Sequence, residues 1–249
     1  MINSPQIEPY YKKLMELGYS PLDYSEKHYV FRKDLQIIKI ARSSYNTVAN
    51  DDSFCIEKVA HDLLGEAGLP VAKILEVYER DILIPNFAVL CEEYYEGQVY
   101  YSKDTSCDLL IQIWELIHSA TTITRNTFGY VKTDGTIQNA TWHSFLRDIA
   151  NSAKSDKSLL FSGIKYVPEP KSSSFIFTDI NVANYIFENK KLKVAIDVER
   201  PIFGDKTFIY SVIKSRNPKL FSIIKNATFL DMSLIDYYCI VYNHLFDSI

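Results

Sequence analysis

The second half of this chain has helical periodicity, but a compact group of three β-rich runs interrupts it. These runs cover residues 174–177, 184–188 and 192–197. Asp179 and Asn184 stand five residues apart across the loop after the first run, and Asp197 ends the third run. A hairpin of the second and third runs would bring Asn184 and Asp197 to the same end, because antiparallel neighbours run in opposite directions. The chain is therefore predicted to gather three oxygen-bearing side chains on a small sheet inside a helical region.

The residue types in this segment suit the transfer of a phosphoryl group. That reaction needs a carboxylate facing the attacking hydroxyl and oxygen ligands for a magnesium ion. An asparagine carbonyl together with one carboxylate supplies metal ligands without excess negative charge beside the phosphates. An Asp-x4-Asn spacing also arises often by chance, so it indicates a function only together with the rest of the chain.

The first 92 residues are predicted to form mostly antiparallel strands with one prominent helix. A two-residue turn at 33–34 joins two β-rich runs in a tight hairpin. The prominent helix is expected to be capped by Asp51, Asp52 or Ser53 and to end before Gly68. Helices are predicted at residues 6–17 and 52–67, and strands at 28–32, 35–41, 73–78 and 87–92.

The remainder of the chain is mainly helical in pattern. Helical periodicity covers residues 107–120 and 142–153 and is expected to resume towards the carboxyl end. The polar, glycine-containing segment 128–139 is predicted to be a loop or a short hairpin. The predicted fold class is α+β, with a strand-rich N-terminal lobe at residues 1–92 and a mainly helical C-terminal lobe at residues 93–249.

In their order and spacing these motifs resemble the aminoglycoside phosphotransferase and choline kinase family, whose fold is protein-kinase-like. The catalytic loop of that family reads H-G-D-x-x-x-x-N, and the loop here reads Phe177-Thr-Asp-Ile-Asn-Val-Ala-Asn. A later I-D motif of the family is matched by Ile196-Asp-Val-Glu-Arg. The resemblance implies that Asp179 is the catalytic base, that Asn184 is a magnesium ligand and that Asp197 is the principal magnesium ligand.

The same resemblance implies a nucleotide site in the N-terminal lobe. Lys39 matches the strand lysine that contacts the nucleotide phosphates, and Glu57 matches the helix glutamate that pairs with it. Cys91 and Glu92 lie in the segment that resembles the strand and hinge around the nucleobase. Mg²⁺ is thus the implied cofactor, and ATP or GTP is the implied co-substrate.

The chain departs from the family pattern at the loop that precedes the catalytic base and at the phosphate loop. Phe177 and Thr178 replace the histidine and glycine of the catalytic loop, which puts the rigidity of this loop in question. No glycine lies within residues 19–64, so a glycine-rich phosphate loop is absent from the sequence. The turn that contains Ser25 is its expected substitute, since backbone N–H groups and a hydroxyl can bind phosphate.

The acceptor is expected to be a small molecule with a hydroxyl group that binds to the C-terminal lobe. Four carboxylates there are candidates for binding it, although solvation at the surface explains them equally well. If they converge on the cleft, they favour a cationic acceptor through amine–carboxylate pairs. These carboxylates are Glu199, Asp205, Asp231 and Asp236.

Three functions are compatible with these residues. The first is a kinase that phosphorylates an aminoglycoside-type antibiotic and thereby confers antibiotic resistance. The second is a metabolic kinase for choline, a sugar or an amino alcohol, with the same catalytic residues. The third is a nucleotide-binding regulator with little transfer activity, which the altered catalytic loop favours.

Composition and charge argue against several other classes of protein. Hydrophobic residues make up 47% and charged residues 23%, which is ordinary for a globular protein. The net charge of -4 argues against a nucleic-acid-binding protein. The sequence contains no apolar run of transmembrane length and no secretory signal pattern, and its four cysteines lack zinc-site spacing. We therefore expect a cytoplasmic protein without nucleic-acid or membrane partners.

Overall fold

The computed structural model of the chain describes residues 8–22, 28–41, 48–79, 82–84, 87–226 and 229–245. Ser25, predicted to lie beside the nucleotide phosphates, falls outside these described residues. In the described part of the chain, no helix combines the length and apolar character needed to cross a membrane. The described residues form an α+β fold of two lobes, which confirms the predicted fold class.

The described residues of the N-terminal lobe form a five-stranded antiparallel sheet with two helices. Its elements are α1 (Glu8–Glu16), β1 (Ser20–Leu22), β2 (His28–Lys33), β3 (Gln36–Ala41), α2 (Val48–Glu66), β4 (Ile74–Tyr78) and β5 (Val89–Glu93). The strand order is β1-β2-β3-β5-β4, so β5 lies between β3 and β4. The predicted strands and helices of this lobe are confirmed in the described residues, and the short strand β1 adds to them. Residues 6–7 of the first predicted helix lie outside the described residues.

The start of α2 differs from the prediction. The predicted cap at Asp51, Asp52 or Ser53 is wrong, because α2 begins at Val48 and already includes these residues. Acidic residues are favourable throughout the first turns of a helix as well as at its cap, since they face the positive end of the helix dipole. The residue types at 51–53 therefore indicate a helix start nearby but do not determine its position.

The side chains of β3 alternate between a hydrophobic face of the sheet and the face that carries Lys39. Ile38 and Ile40 are fully buried and pack into one cluster with Leu14 of α1. Successive side chains of a strand point to opposite faces of the sheet. Lys39 therefore lies on the other face, which α2 covers.

The C-terminal lobe contains six helices and two smaller sheets among the described residues. Its helices are α3 (Cys107–Ala120), α4 (Trp142–Ser152), α5 (Lys157–Ile164), α6 (Phe208–Arg216), α7 (Pro218–Ile224) and α8 (Met232–Asn243). Its strands are β6 (Gln98–Val99), β7 (Thr124–Arg125), β8 (Phe128–Val131), β9 (Ile137–Asn139), β10 (Ser173–Ile176), β11 (Tyr185–Glu188), β12 (Lys191–Ala195) and β13 (Ile202–Gly204). The sheets are ordered β7-β10-β13-β8-β9 and β12-β11-β6. The predicted strand cluster is thus confirmed and belongs to two sheets.

Trp142 joins three helices of the C-terminal lobe in a buried aromatic cluster. Its ring centroid lies 5.6 Å from that of Phe208 in α6 and 6.0 Å from that of Tyr238 in α8. The indole Nε1 of Trp142 donates a hydrogen bond to the Tyr238 hydroxyl at 2.9 Å. That hydroxyl donates in turn to Asp205 Oδ2 at 2.6 Å. The polar ends of these aromatic side chains are therefore satisfied inside the core.

Backbone hydrogen bonds near the end of β12 tie the two lobes together. The amide of Ala72 donates to the carbonyl oxygen of Ala195 at 2.8 Å, and the amide of Ala195 donates to that of Pro70 at 2.9 Å. Val71 and Ala195 form a parallel bridge at the same place. Because these bonds hold the α2–β4 connection against β12, they fix the position of Asp197, two residues further on, relative to the N-terminal lobe.

Alanine substitutions at two helical glycines should change the free energy of unfolding in opposite directions. A Cβ atom at Gly163 in α5 would overlap the ring of Tyr237 in α8. Gly163→Ala should lower the free energy of unfolding by about 1–3 kcal/mol, because overpacking outweighs the better helix propensity of alanine. Urea denaturation monitored by circular dichroism measures this change.

Gly65→Ala in α2 is the matched control. A Cβ atom there would meet Val71 at 4.0 Å, which is ordinary van der Waals contact. The free energy of unfolding should rise by up to about 1 kcal/mol, because alanine restricts the unfolded chain and favours the helix. Equal effects of the two substitutions would contradict the packing of α5 against α8.

Candidate active site

The amine of Lys39 lies at the centre of a buried polar cluster between the lobes. Its Nζ atom donates to Glu57 Oε1 at 3.1 Å and to the backbone carbonyl oxygen of Ile196 at 2.8 Å. Glu92 Oε2 is an ion-pair partner of the same atom at 3.2 Å. The side chain of Lys39 is 10% exposed, and those of Glu57 and Glu92 are 1% and 4% exposed. One ammonium group therefore contacts two carboxylates of the N-terminal lobe and the backbone of the C-terminal lobe.

Strand register places Lys39 and Glu92 on the same face of the sheet. In the β3–β5 pair, Lys39 lies opposite Leu90 and Ile37 lies opposite Glu92. Residues directly opposite each other share a face, and so do residues two apart on one strand. Helix α2 crosses this face and brings Glu57 to the amine. Glu92, predicted to contact the nucleobase at a hinge, thus points to Lys39.

Electrostatic interactions keep Lys39 charged despite its burial. Burial lowers the pKa of Lys39, but Glu57, Glu92 and Asp197 raise it by more, so the pKa lies above its usual value. Burial raises the pKa of Glu57 and of Glu92, while the charge of Lys39 opposes this rise at both. Two buried carboxylates therefore compete for one ammonium group.

His61 in α2, which no sequence motif singles out, lies beside Glu57. Its Nδ1 atom is 2.6 Å from the carbonyl oxygen of Ala72, so Nδ1 carries the proton and donates. Its Nε2 atom lies 3.9 Å from Glu57 Oε1. Burial lowers the pKa of His61 to about 4, so the imidazole is neutral at pH 7. Sequence reasoning could have found His61 from its spacing to Glu57, because residues four positions apart lie on the same face of a helix.

Local side-chain bonds fold the loop that contains Asp179. Asp179 Oδ1 accepts a hydrogen bond from the amide of Asn181 at 3.2 Å, and Asn181 Oδ1 accepts one from the amide of Ala183 at 3.1 Å. A short 3₁₀ turn, Val182–Asn184, follows and leads into β11. Asp and Asn commonly bond the backbone two residues ahead in this way. The loop is therefore held partly by its own side chains.

Thr178 and Phe177 occupy the positions of the glycine and histidine of the resembled family, and both are buried. The Thr178 hydroxyl lies 3.1 Å from the carbonyl oxygen of Glu199 and 2.9 Å from that of Arg200, and it can donate to either. Arg200 has a φ of 46°, which is uncommon for a residue with a side chain. Phe177 packs edge-on against Phe175, with ring centroids 5.4 Å apart. The two replacements thus connect the loop to the segment after Asp197 and to the core.

The β11–β12 hairpin brings Asn184 next to the segment that carries Asp197. Tyr185 pairs with Ala195 in the hairpin register. The amide of Ile196 donates to the carbonyl oxygen of Asn184 at 2.9 Å, which extends the pairing by one residue. Asn184 and Asp197 therefore lie at the same end of the hairpin, one residue out of register.

The buried phenol of Tyr185 interacts with carboxylates of both the Asp179 loop and the Asp197 segment. Burial raises the pKa of Tyr185, and the carboxylates of Asp179 and Asp197 raise it further. Both carboxylates must lie near the phenol to affect it, since charge interactions weaken with distance. Asp179 and Asp197 are therefore both within electrostatic reach of one buried side chain.

The donor atoms at this place suit a magnesium ion. Within the described residues, the Nδ2 atom of Asn184 is buried without a hydrogen-bond partner, so no hydrogen bond to that atom fixes the orientation of its amide. The amide oxygen can therefore be offered to a cation beside Asp197. No group of three or more His, Cys, Asp or Glu side chains in the described ranges could hold a metal ion. Phosphate oxygens and water would have to complete the shell, as Mg²⁺ prefers.

Helix α8 contacts the loop that contains Asp179 through Tyr242. The Tyr242 hydroxyl donates to the carbonyl oxygen of Thr178 at 2.8 Å and accepts from Arg216 Nε at 2.6 Å. Burial opposes the charge of Arg216, but Tyr242 and Asp179 favour it and raise the pKa of its guanidinium. Arg216 is therefore within electrostatic reach of Asp179. Neither Tyr242 nor Arg216 lies near the loop in sequence, so no motif points to them.

Three of the four carboxylates predicted to bind the acceptor have partners within the C-terminal lobe. Asp205 accepts a hydrogen bond from Tyr238 at 2.6 Å. Asp231 caps α8 by accepting from two backbone amides of its first turn at 3.0 and 3.2 Å. Asp236 forms an ion pair with Lys214 on the surface. Their contact with an acceptor stays a prediction.

Glu199 lies near the Lys39 cluster, whereas Cys91 lies in the core of the N-terminal lobe. Glu199 contributes to the raised pKa of Glu57, which places it near the Lys39 cluster. Cys91 packs into the core cluster of the N-terminal lobe, on the face of β5 opposite Glu92. Burial raises the pKa of the Cys91 thiol to about 11, so it is protonated at pH 7. A contact of Cys91 with the nucleobase stays a prediction.

Solved structures of several aminoglycoside phosphotransferases are similar to this chain. Aminoglycoside phosphotransferase APH(4)-Ia is 14% identical with a TM-score of 0.72, and the match covers 95% of this chain and 88% of that one. A ternary complex of a thermostable mutant of APH(4)-Ia with AMP-PNP and hygromycin B has the same identity and TM-score over 97% and 89%.

Two further structures extend this similarity. APH(3'')-Id from Streptomyces rimosus is 13% identical with a TM-score of 0.58, covering 95% of this chain and 97% of that one. The GDP and kanamycin complex of APH(2")-IIia is 10% identical with a TM-score of 0.62, covering 95% and 89%. No family model and no curated protein matches the sequence. The chain therefore has the protein-kinase-like fold of aminoglycoside phosphotransferases, as the resemblance predicted.

Removal of the Thr178 hydroxyl should destabilise the folded protein. Thr178→Val keeps the shape of the side chain but leaves the carbonyl oxygens of Glu199 and Arg200 without this donor. The free energy of unfolding should fall by about 1–3 kcal/mol. Thr178→Ser retains the hydroxyl and is the matched control, so it should stay closer to wild type. Chemical denaturation of the three proteins measures the difference, and equal stability of Thr178→Val and Thr178→Ser would contradict the role of this hydroxyl.

Proposed function

We propose that this protein is a kinase that transfers the γ-phosphoryl group of ATP or GTP to a hydroxyl group of a small molecule. One observation carries the proposal: Asp179 and Asp197 both act on the buried phenol of Tyr185, while the carbonyl oxygen of Ile196 holds Lys39. A candidate base, a candidate metal ligand and a candidate phosphate-binding group are thereby gathered in one site. The fold shared with aminoglycoside phosphotransferases supports the proposal.

Lys39 binds the phosphates of the nucleotide in this proposal. Its amine is charged and is held at a defined position by Glu57 and the carbonyl oxygen of Ile196. A preorganised positive charge stabilises negative charge that builds up on a transferring phosphoryl group. The nucleobase then lies along the segment that follows β5, between the lobes.

Asn184 and Asp197 hold magnesium in this proposal. When bound, the ion neutralises phosphate charge and orients the transferring group. The hairpin contributes by keeping the Asn184 backbone bonded to Ile196, so that both ligand-bearing residues stay together without the ion. Tyr185, buried beside Asp197, excludes water from one side of the site.

Asp179 orients the acceptor hydroxyl and accepts its proton as the new bond forms. One oxygen of its carboxylate already accepts a hydrogen bond from the amide of Asn181. The other oxygen is then directed at the acceptor. Arg216 lies within electrostatic reach of Asp179.

An aminoglycoside-type antibiotic is the acceptor that we propose first. Structures with the same fold hold hygromycin B together with AMP-PNP, or kanamycin together with GDP. Identities of 10–14% leave the fold as the common property, so the acceptor itself has to be tested. Phosphorylation of such a compound would make this protein an antibiotic-resistance enzyme.

A metabolic kinase for choline, a sugar or an amino alcohol is the second candidate. Intramolecular partners of Asp205, Asp231 and Asp236 favour it, because these carboxylates are then less available to a polycation. The positive charge of Arg216 near Asp179 also disfavours a polycationic acceptor. A nucleotide-binding regulator is the third candidate, and it would bind nucleotide without turnover on any acceptor.

Asp179→Asn should separate phosphoryl transfer from nucleotide binding. The transfer rate should fall by a factor of about 10² or more, because the base and its orienting effect are lost. Nucleotide affinity should stay near wild type, whereas Asp197→Asn at the proposed metal ligand should weaken affinity and turnover together. Isothermal titration with magnesium nucleotide measures affinity. A nucleotide-consumption assay against aminoglycosides, choline, sugars and amino alcohols measures turnover.

Asp104→Asn is the matched control. It removes the same charge from an exposed residue outside the site. The nucleotide affinity and the turnover of this variant should equal those of wild type. Full turnover of Asp179→Asn would contradict the assignment of the base. Nucleotide binding by wild type without phosphorylation of any acceptor would favour the regulator.

A further inference from the structure

Among the described residues, the ammonium group of Lys39 is surrounded by three protein oxygen atoms, two of which form hydrogen bonds with it. It has three N–H groups, and three protein oxygen atoms surround it, those of Glu57, Glu92 and Ile196. All three are within 3.2 Å of the nitrogen. A nucleotide phosphate that bonds to Lys39, as the proposed function requires, must therefore compete with one of these partners.

The three partners are not bound equally well. Glu57 Oε1 at 3.1 Å and the Ile196 carbonyl oxygen at 2.8 Å accept hydrogen bonds from Lys39 with good geometry. Glu92 Oε2 lies at 3.2 Å as an ion pair only, and among the described residues this buried atom has no hydrogen-bond partner. Loss of the Glu92 contact thus costs no well-formed hydrogen bond, so Glu92 is the partner that a phosphate oxygen displaces.

Displacement changes the charge balance around Glu92. With Lys39 turned to the phosphates, the Glu92 carboxylate would be 96% buried beside an anion, without its cation. A buried carboxylate in that position is more stable when it is protonated, because both burial and a nearby negative charge disfavour ionisation. Glu92 then takes up one proton from solvent, and no covalent bond is made or broken.

We propose that Glu92 is a positioning residue that acts through Lys39: it holds the amine in the nucleotide-free protein, competes with the nucleotide phosphates for it, and is released in protonated form when the nucleotide binds. This inference rests on the proposed nucleotide site and adds to it a residue that limits affinity. It also makes nucleotide binding dependent on pH. Lower pH favours the bound state, because protons are taken up on binding.

Among the other described groups around Glu92, Glu57 can also bind a proton, because burial raises its pKa to about 7, so the Glu57→Gln variant serves to separate the two carboxylates. Lys39 of β3 has a raised pKa and stays charged, and Asp197, after β12, lies near enough to act on both of them. Glu57 of α2 keeps its hydrogen bond to Lys39 in the proposed bound state. Burial raises the pKa of Cys91 to about 11 and raises that of the Tyr95 phenol, so both are protonated at pH 7.

Glu92→Gln tests the inference, because it removes the charge and keeps the size of the side chain. Magnesium ATP and magnesium GTP are titrated into the full chain by calorimetry between pH 7.5 and 9, in two buffers of different ionisation enthalpy. The variant should bind nucleotide at least about tenfold more tightly than wild type, since a negative charge next to the phosphates is absent. Wild type should take up a proton on binding, and the variant should not.

The pH series gives a second, independent readout. Above the pKa of Glu92, the Kd of wild type should rise by up to about tenfold per pH unit, because each binding event needs a proton. The Kd of Glu92→Gln should rise less steeply. Glu57→Gln should bind nucleotide more weakly than wild type, since it loses an anchor of Lys39 rather than a competitor.

Glu93→Gln is the matched control for the loss of charge. Glu93 is the next residue of β5, its side chain is 40% exposed and it pairs with Lys73 instead of Lys39. Its affinity and proton uptake should equal those of wild type. If Glu92→Gln does not fold, Glu92→Met is measured in its place, with the same expected increase in affinity.

The outcomes separate this inference from the proposed function. Tighter binding and lost proton uptake in the Glu92 variant support the inference. Nucleotide binding by wild type with equal or weaker binding by the Glu92 variant overturns the inference and leaves the proposed function intact. Failure of wild type and of every variant to bind either nucleotide overturns both.

Discussion

The amine of Lys39 is bonded to α2, to β5 and to the backbone that follows β12, so a single charged group connects the two lobes. A buried ammonium group that loses its partners costs several kcal/mol, on the order of the cost of breaking a buried ion pair. The rest of the site depends on this connection. Neutral His61 joins α2 to Ala72, and Ala72 bonds to Ala195 only two residues before Asp197. The same short region of chain therefore positions the proposed phosphate-binding and metal-binding groups.

Most elements of the fold follow from patterns that are local in sequence. The helix at residues 107–120 was predicted at its observed bounds, because a long periodic stretch is bounded by good capping and turn residues. Helix α5 gave no comparable signal, since it has eight residues and includes Gly163. The short strands β1, β6, β7 and β13 also have too few residues for alternation to be recognised. Their positions are set by pairing with strands that are distant in sequence.

Some residues of the candidate site are also evident from local sequence patterns, whereas others depend on contacts between distant parts of the chain. Asp179, Asn184 and Asp197 stand within one short segment, so their spacing could be read directly. The roles of His61, Arg216 and Tyr242 depend on contacts between distant elements, and no local pattern encodes them. Glu92 is an intermediate case. Its strand was predicted, but only the register of β5 against β3 shows that its carboxylate meets Lys39.

The contact between Tyr242 and the carbonyl oxygen of Thr178 has a consequence for the order in which the protein becomes complete. The two residues are 64 positions apart, and α8 follows the loop that contains Asp179 along the chain. During synthesis the loop leaves the ribosome well before α8, while domains generally fold as units. A nascent chain that has already exposed both nucleotide-binding and loop residues would still lack one support of the loop. Chains interrupted by premature termination before α8 would therefore carry every proposed catalytic side chain and yet hold the loop less firmly.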